Sequence, residues 1–247
     1  MRKRITFVTL VLFLSSLIFP YTYEKGFHKE LKIGNLTNIY LKNVNGKILI
    51  NSQEDEKISI FATIKANSKE KLDLVNIKVF KSDKALEIKP YFPKNSNVSI
   101  NFILKIPPNL ASKITSVNGS IISDANLKRF IFTTVNGKIL VTNHYGAGKV
   151  STVNGSIKLY LDELKNNLSV KTVNGSISVY IKNTKNLSLK ASTVNGSVKI
   201  DHPDLIITYK KRLFPFSSFS TIKAAGKEPE FHISLSTVNG SIRVLPY

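Results

Sequence analysis

One six-residue word constrains this chain more than any other feature. It reads Asn43-Val-Asn-Gly-Lys-Ile48, Ser116-Val-Asn-Gly-Ser-Ile121, Thr134-Val-Asn-Gly-Lys-Ile139, Thr152-Val-Asn-Gly-Ser-Ile157, Thr172-Val-Asn-Gly-Ser-Ile177, Thr193-Val-Asn-Gly-Ser-Val198 and Thr237-Val-Asn-Gly-Ser-Ile242. The paired positions at its centre are Asn45 and Gly46, Asn118 and Gly119, Asn136 and Gly137, Asn154 and Gly155, Asn174 and Gly175, Asn195 and Gly196, and Asn239 and Gly240. The steps between these asparagines are 73, 18, 18, 20, 21 and 44 residues. A unit that recurs at such a period buries its apolar face by stacking on its neighbours. The last step is close to two ordinary ones, which predicts a degenerate unit near residues 215–226. No proline lies between Pro108 and Pro203, where five copies of the word fall. Proline is poorly tolerated inside sheets, so its absence suits continuous strands.

Each unit reads as two strands around a corner. Alternation puts Leu168, Val170 and Thr172 on one face before the corner, and Ile177, Val179 and Ile181 on one face after it. Asn-Gly is expected to supply the positive φ angles of a sharp turn. Two architectures fit. In a hairpin the two strands pair with each other across a type I′ turn. In a solenoid the corner carries the chain to an opposite sheet, and equivalent residues of successive units form ladders. Periodicity does not separate them. A hairpin needs only Asn-Gly, whereas ladders restrain every position of the word, so the retained six residues favour the solenoid. The expected fold is therefore all-β, a β-solenoid or β-roll of ~18–22-residue rungs at roughly 4.8 Å per step.

Residues 24–115 carry one copy of the word and longer alternating strands, such as Lys57–Ile64 and Val98–Ile106. They read as first rungs plus a β cap, since an open stack end offers unpaired strand edges. Residues 116–247 read as the repeat domain, with an insertion near 205–222 that interrupts it. The residue four after each motif asparagine should point outward. It is Leu49, Ile122 and Leu140 in the first three copies, then Lys158, Ser178, Lys199 and Arg243. The early outer face is thus expected to be covered and the late one solvated.

The N-terminus reads as an export signal. Arg2, Lys3 and Arg4 precede an apolar run from Ile5 to Phe19, ended by Pro20. No A-x-A cleavage site follows, so 1–23 is either a signal peptide or an uncleaved anchor. Either way the rest is expected outside the cytoplasm: periplasmic, surface-exposed or secreted. The chain of 247 residues has 36 Lys+Arg against 16 Asp+Glu, a formal charge of +20. Without the three n-region charges, 33 basic residues face 16 acidic ones, leaving +17. Such a balance favours anionic partners or a lysine-rich solvated surface. The lack of cysteine excludes disulfides, thiolate metal sites and cysteine nucleophiles.

The repeated word, the export signal and the strand Asn101-Phe-Ile-Leu-Lys-Ile-Pro107 leading into the second copy together resemble one group. This is the bacterial "putative adhesin" β-strand-repeat family of exported and envelope proteins, a domain family of unknown function. The resemblance spans about residues 33–245. It implies a β-solenoid or β-roll, and it brings no agreed catalytic residues. Many members carry an acidic residue after the motif glycine. Here that position holds Lys47, Lys138 or serine, which removes a carboxylate ladder for cations.

Little in the chain points to catalysis. β-Helix enzymes that cleave polysaccharides need clustered carboxylates. From Asn109 to Ile200 the acidic residues are Asp124, Asp162 and Glu163. The histidines lack metal-ligand spacing, and the serines lack a nucleophile-elbow context. Neither catalytic residues, metal ligands nor a cofactor are assigned. Two binding candidates stand out. Lys158, Lys199 and Arg243 share one outer position and would align as a cationic ladder. Tyr209, Lys210, Lys211, Arg212, Phe214 and Phe216 combine aromatic and basic residues in the insertion, which suits a membrane surface or a partner groove. The expected partners are an anionic cell-wall polymer, a membrane surface or another envelope protein. Nucleic acid is disfavoured, because only Tyr160 and Tyr180 interleave with the repeat cations. The reading is a non-catalytic structural or adhesion module of the envelope. Its alternatives are a binding or sensing module for anionic envelope components and, third, a polysaccharide-acting enzyme.

Overall fold

A computed structural model describes residues 23–92, 97–142, 147–212 and 220–247, without the side chain of Arg212. The segment read as signal peptide or anchor, 1–23, lies outside these residues except for Tyr23. Apart from one helical turn, α1 (Lys69–Asp73), the regular elements are strands. Ser68 caps α1, its hydroxyl accepting from the Lys71 N–H.

The strands form two large sheets. In spatial order the first holds β1 (Tyr23–Lys32), β4 (Lys57–Ala66), β7 (Ser99–Ile106), β3 (Ile48–Ser52), β9 (Ile121–Asp124), β11 (Ile139–Thr142), β13 (Ile157–Glu163), β15 (Ile177–Asn183), β21 (Ile242–Pro246) and β17 (Val198–Ile200). The second holds β18 (Ile206–Arg212), β19 (Ser220–Ala225), β16 (Leu187–Asn195), β20 (Phe231–Asn239), β14 (Leu168–Lys171), β12 (Ala147–Asn154), β10 (Arg129–Asn136), β8 (Ala111–Thr115), β2 (Asn38–Lys42), β6 (Ala85–Tyr91) and β5 (Asn76–Lys81). Each copy of the word ends a strand of the second sheet and starts one of the first.

The two strands of a unit do not pair with each other, so the hairpin alternative falls. They pair in parallel with the same residues of neighbouring units: Thr134 with Thr152, Asn136 with Asn154, Ile157 with Ile177. The inward rows are Ile121, Ile139, Ile157, Ile177 and Ile242 on one sheet and Ile114, Phe132, Val150, Val170 and Leu235 on the other. All are buried in a single hydrophobic cluster that includes both sheets. Burial of such side chains contributes about 1.5–3 kcal/mol each.

The order of the rungs departs from the chain order at both ends. Rung 231–246 does not follow rung 187–200. It lies between that rung and rung 168–183: β20 pairs with both β14 and β16, and β21 with both β15 and β17. The first rung behaves alike. β2 and β3 lie between β6 and β7 on one side and β8 and β9 on the other. Beyond these, antiparallel strands finish three of the four sheet ends: β4 and β1 on the first sheet, β5 on the second, and β19 followed by β18 at the far end of the second; the far end of the first is β17, parallel to β21.

Two expectations are corrected here. Residues 220–225 form β19, which runs antiparallel to β16, so they are not a degenerate rung. Residues 206–212 of the expected interrupting insertion instead extend the sheet, as β18, its outermost strand.

Candidate functional site

Because the units stack in register, each motif position becomes a row along the stack. The asparagine row is a continuous amide ladder. Nδ2 of Asn118 donates to Oδ1 of Asn45 at 3.0 Å, and the pattern repeats from Asn136, Asn154, Asn174, Asn239 and Asn195 at 2.8–2.9 Å. Nδ2 of Asn45 ends the ladder on the Val98 carbonyl, 3.0 Å away.

The threonine row ties each corner to its neighbour. The hydroxyls of Thr134, Thr152, Thr172, Thr237 and Thr193 donate to the carbonyls of Gly119, Gly137, Gly155, Gly175 and Gly240 at 2.9–3.1 Å. Asn43 takes the threonine position in the first copy. The strand beside it is not a motif strand, and its longer amide reaches the Ile100 carbonyl at 2.8 Å. Ser116 also replaces threonine, and among the described residues its buried hydroxyl has no partner.

The glycine row corrects another expectation. No motif asparagine has positive φ, and five of the seven motif glycines have none either. Glycine is needed because the backbones touch. A Cβ on Gly175 would stand 2.0 Å from the Gly155 carbonyl oxygen, and one on Gly240 2.1 Å from that of Gly175.

The valine row was not singled out by sequence. Val117, Val135, Val153, Val173, Val194 and Val238 point outward, 38–41% exposed, as a ridge beside the amide ladder. Inward threonine followed by an outward valine is the period-2 signal that could have placed it.

The cationic row is only partly contiguous. Lys158 is next to Ser178, Ser178 next to Arg243, and Arg243 next to Lys199. Rung insertion thus brings Arg243 and Lys199 side by side and leaves Lys158 two strands from Arg243. Lys199 pairs with Asp201 at 2.6 Å. The Lys158 ammonium lies 5.8 and 5.5 Å from the ring centroids of Tyr160 and Tyr180, which stack at 4.6 Å. The same outer row continues through Leu140, Ile122, Leu49, Ile103 and Phe61. It was expected to be covered. Leu49, Ile122 and Leu140 are instead half-buried, and Ile122 and Leu140 help line an open depression of about 740 Å³ that also includes Lys47, Lys138 and Lys158.

Of the second candidate group, Tyr209, Lys210, Lys211 and Arg212 lie on the edge strand β18, with the Lys223 ammonium 5.5 Å from the Tyr209 ring centroid. Phe214 and Phe216 lie outside the described residues. His202 is buried and structural: its Nε2–H donates to the Ile181 carbonyl, and its Nδ1 accepts from the Asp204 N–H. Asp162 and Glu163 end β13, where Glu163 pairs with Lys165 at 3.2 Å. Among the described residues no three of His, Asp and Glu stand together as metal ligands would.

The family model described as Toastrack DUF4097 matches residues 110–245. A crystal structure of a "putative cell adhesion protein" from Clostridium sporogenes is 17% identical, covers 91% of this chain and 100% of its own, and has a TM-score of 0.49. A "putative adhesin" from Bacteroides fragilis is 10% identical over 90% and 97%, with a TM-score of 0.35. A "putative lipid binding protein" from Parabacteroides distasonis is 12% identical over 89% and 96%, with a TM-score of 0.30. These likenesses are too distant to carry a functional argument. No curated protein matches the chain.

Proposed function

From the premise that the chain belongs to the Toastrack DUF4097 family, we propose that it is a non-catalytic structural or adhesion module acting outside the cytoplasm, in the bacterial envelope. One observation carries this reading: the amide ladder runs unbroken through seven corners, so the repeated side chains serve to hold a long, stiff two-sheet stack. On this reading residues 1–23 direct export or anchor the chain, 24–115 form the first rungs and a cap, and 116–247 form a repeat β-solenoid. The test is protease added to cells whose outer layers have been opened. Digestion of the full chain while cytoplasmic markers survive is expected. A protected, cytosolic protein overturns the reading.

A second reading is binding of anionic envelope polymer or membrane through Lys158, Lys199 and Arg243. The adjacency of Arg243 and Lys199 favours it. Co-sedimentation with envelope fractions should then weaken steeply with salt. It should also be lost when all three residues become serine. Salt-independent retention contradicts it.

A further inference from the structure

On the outer face of the second sheet, near its N-terminal end, strand pairing sets Phe80 beside Glu87, Glu87 beside Tyr40, and Tyr40 beside Lys113. Lys42 follows Tyr40 by two residues and shares its face. These side chains help line an open depression of about 450 Å³, within the size range of small-ligand sites.

Two features set this place apart. Tyr40 and Phe80 leave 38% and 47% of their surface exposed on a sheet with a well-filled core beneath it. Two strand spacings, roughly 10 Å, separate them. The lining also holds Lys42, Lys81, Lys89 and Lys113 against the single acid Glu87, a local balance of +3. Glu87 is neutralised by Lys89 at 2.8 Å, and Lys81 is held by the Lys32 carbonyl at 2.8 Å. Lys42 and Lys113 make no ion pair among the described residues, and both flank Tyr40.

We propose that this depression binds an acidic polysaccharide, a chain of sugar rings bearing carboxylates. The C–H faces of sugar rings pack on Tyr40 and Phe80, and a carboxylate meets the ammonium groups of Lys42 and Lys113. Concavity argues against a planar membrane surface as the occupant. Glu87 lies between the two rings, but Lys89 offsets its charge and also stands 5.5 Å from the Phe80 ring centroid, which leaves the cations around Tyr40 to meet carboxylates borne on the sugar rings. The inference supplies a ligand class for an envelope adhesion module and rests on that reading, but it concerns a different sheet from the Lys158 row.

The test is titration of the full chain with polygalacturonate, with polyphosphate, neutral dextran and single-stranded DNA as comparisons. Polygalacturonate is expected to bind at least tenfold more tightly than polyphosphate, which has charge without rings, and dextran is not expected to bind. Tyr40→Ala, Phe80→Ser and Lys113→Ser are each expected to weaken polygalacturonate at least fivefold, with unchanged circular dichroism since all three are on the surface. The triple serine variant at Lys158, Lys199 and Arg243 should bind normally. Equal binding of polyphosphate, tighter binding of DNA, indifference to the Tyr40 and Lys113 changes, or no binding each overturns the proposal. A chain that fails here yet remains digestible outside the cytoplasm leaves the envelope reading standing.

Discussion

The middle of the stack and its two ends are built from the same word by different rules. From residue 111 to 183, rungs stack in the order in which they leave the chain, and equivalent residues pair at offsets of 18 and 20. At the ends, the first rung (38–52) and the last (231–246) each lie one place in from the outermost rung. The middle shows what a ladder needs: identical neighbours at a fixed spacing. The ends show what a finite ladder needs as well. The first and last rungs are gripped on both sides, and three of the four sheet edges fall to antiparallel strands, with Lys210, Lys211 and Arg212 on β18, while the fourth is the three-residue β17, parallel to β21. Charged edges hinder strand-to-strand aggregation. Lys210, Lys211 and Arg212, expected in an insertion suited to a membrane surface or partner groove, lie on such an edge.

The sharpest way to break this comparison is at a middle glycine. Gly175→Ala places a Cβ against backbone, which no rotamer change relieves, and should cost about 3 kcal/mol as strong overpacking does. Gly26→Ala, on edge strand β1 with nothing within 4 Å of the new Cβ, should leave the urea midpoint nearly unchanged. Equal effects would mean that the corners are not in backbone contact.

A smaller effect distinguishes ladder middle from ladder end. Asn154→Ala removes two amide bonds, to Asn136 and Asn174, whereas Asn195→Ala removes one. At about 1 kcal/mol or less per exposed bond, the first should cost roughly twice the second in denaturant unfolding. Smallest, and of opposite sign, is Ser116→Thr at the junction between the tucked first rung and the regular run. A threonine there can repeat the hydroxyl-to-glycine bond toward the Gly46 carbonyl and should add about 0.5–1 kcal/mol. Destabilisation would show that the site lacks room for the extra methyl.

The all-β character, the corners and the inward rows were legible because alternation of Leu168, Val170 and Thr172 with Ile177, Val179 and Ile181 fixes both faces at once. The corner glycines were recognised for the wrong physical reason: Asn-Gly is a turn signal, but the closeness of two backbones leaves no trace in a single unit. Rung order was illegible for a deeper reason. Thr193 bonds the Gly240 carbonyl just as Thr237 bonds that of Gly175, so identical words fit any identical neighbour. What differs between neighbours lies outside the word: the backbone N–H groups of Gly226, Glu228, Glu230 and Phe231 bond carbonyls of Lys185, Asn186 and Leu187. Among candidate site residues, the cations were found by their shared position. The adjacency of Arg243 and Lys199 was hidden by the insertion, and the Tyr40 and Phe80 depression by its assembly from strands 40 residues apart.

The inserted last rung is the claim most open to direct test, and the lack of native cysteine makes disulfide trapping clean. Ser169 and Ser234 are paired neighbours on the outer face, as are Ser234 and Lys190. Adjacent strands bring Cα atoms within the 4.4–6.8 Å or so that a disulfide spans, whereas two strand spacings do not. With cysteines at 169 and 234, or at 190 and 234, oxidation should give an intramolecular bond, and with cysteines at 169 and 190 it should not. A bond between 169 and 190, with none to 234, would return the stack to simple chain order and contradict the account.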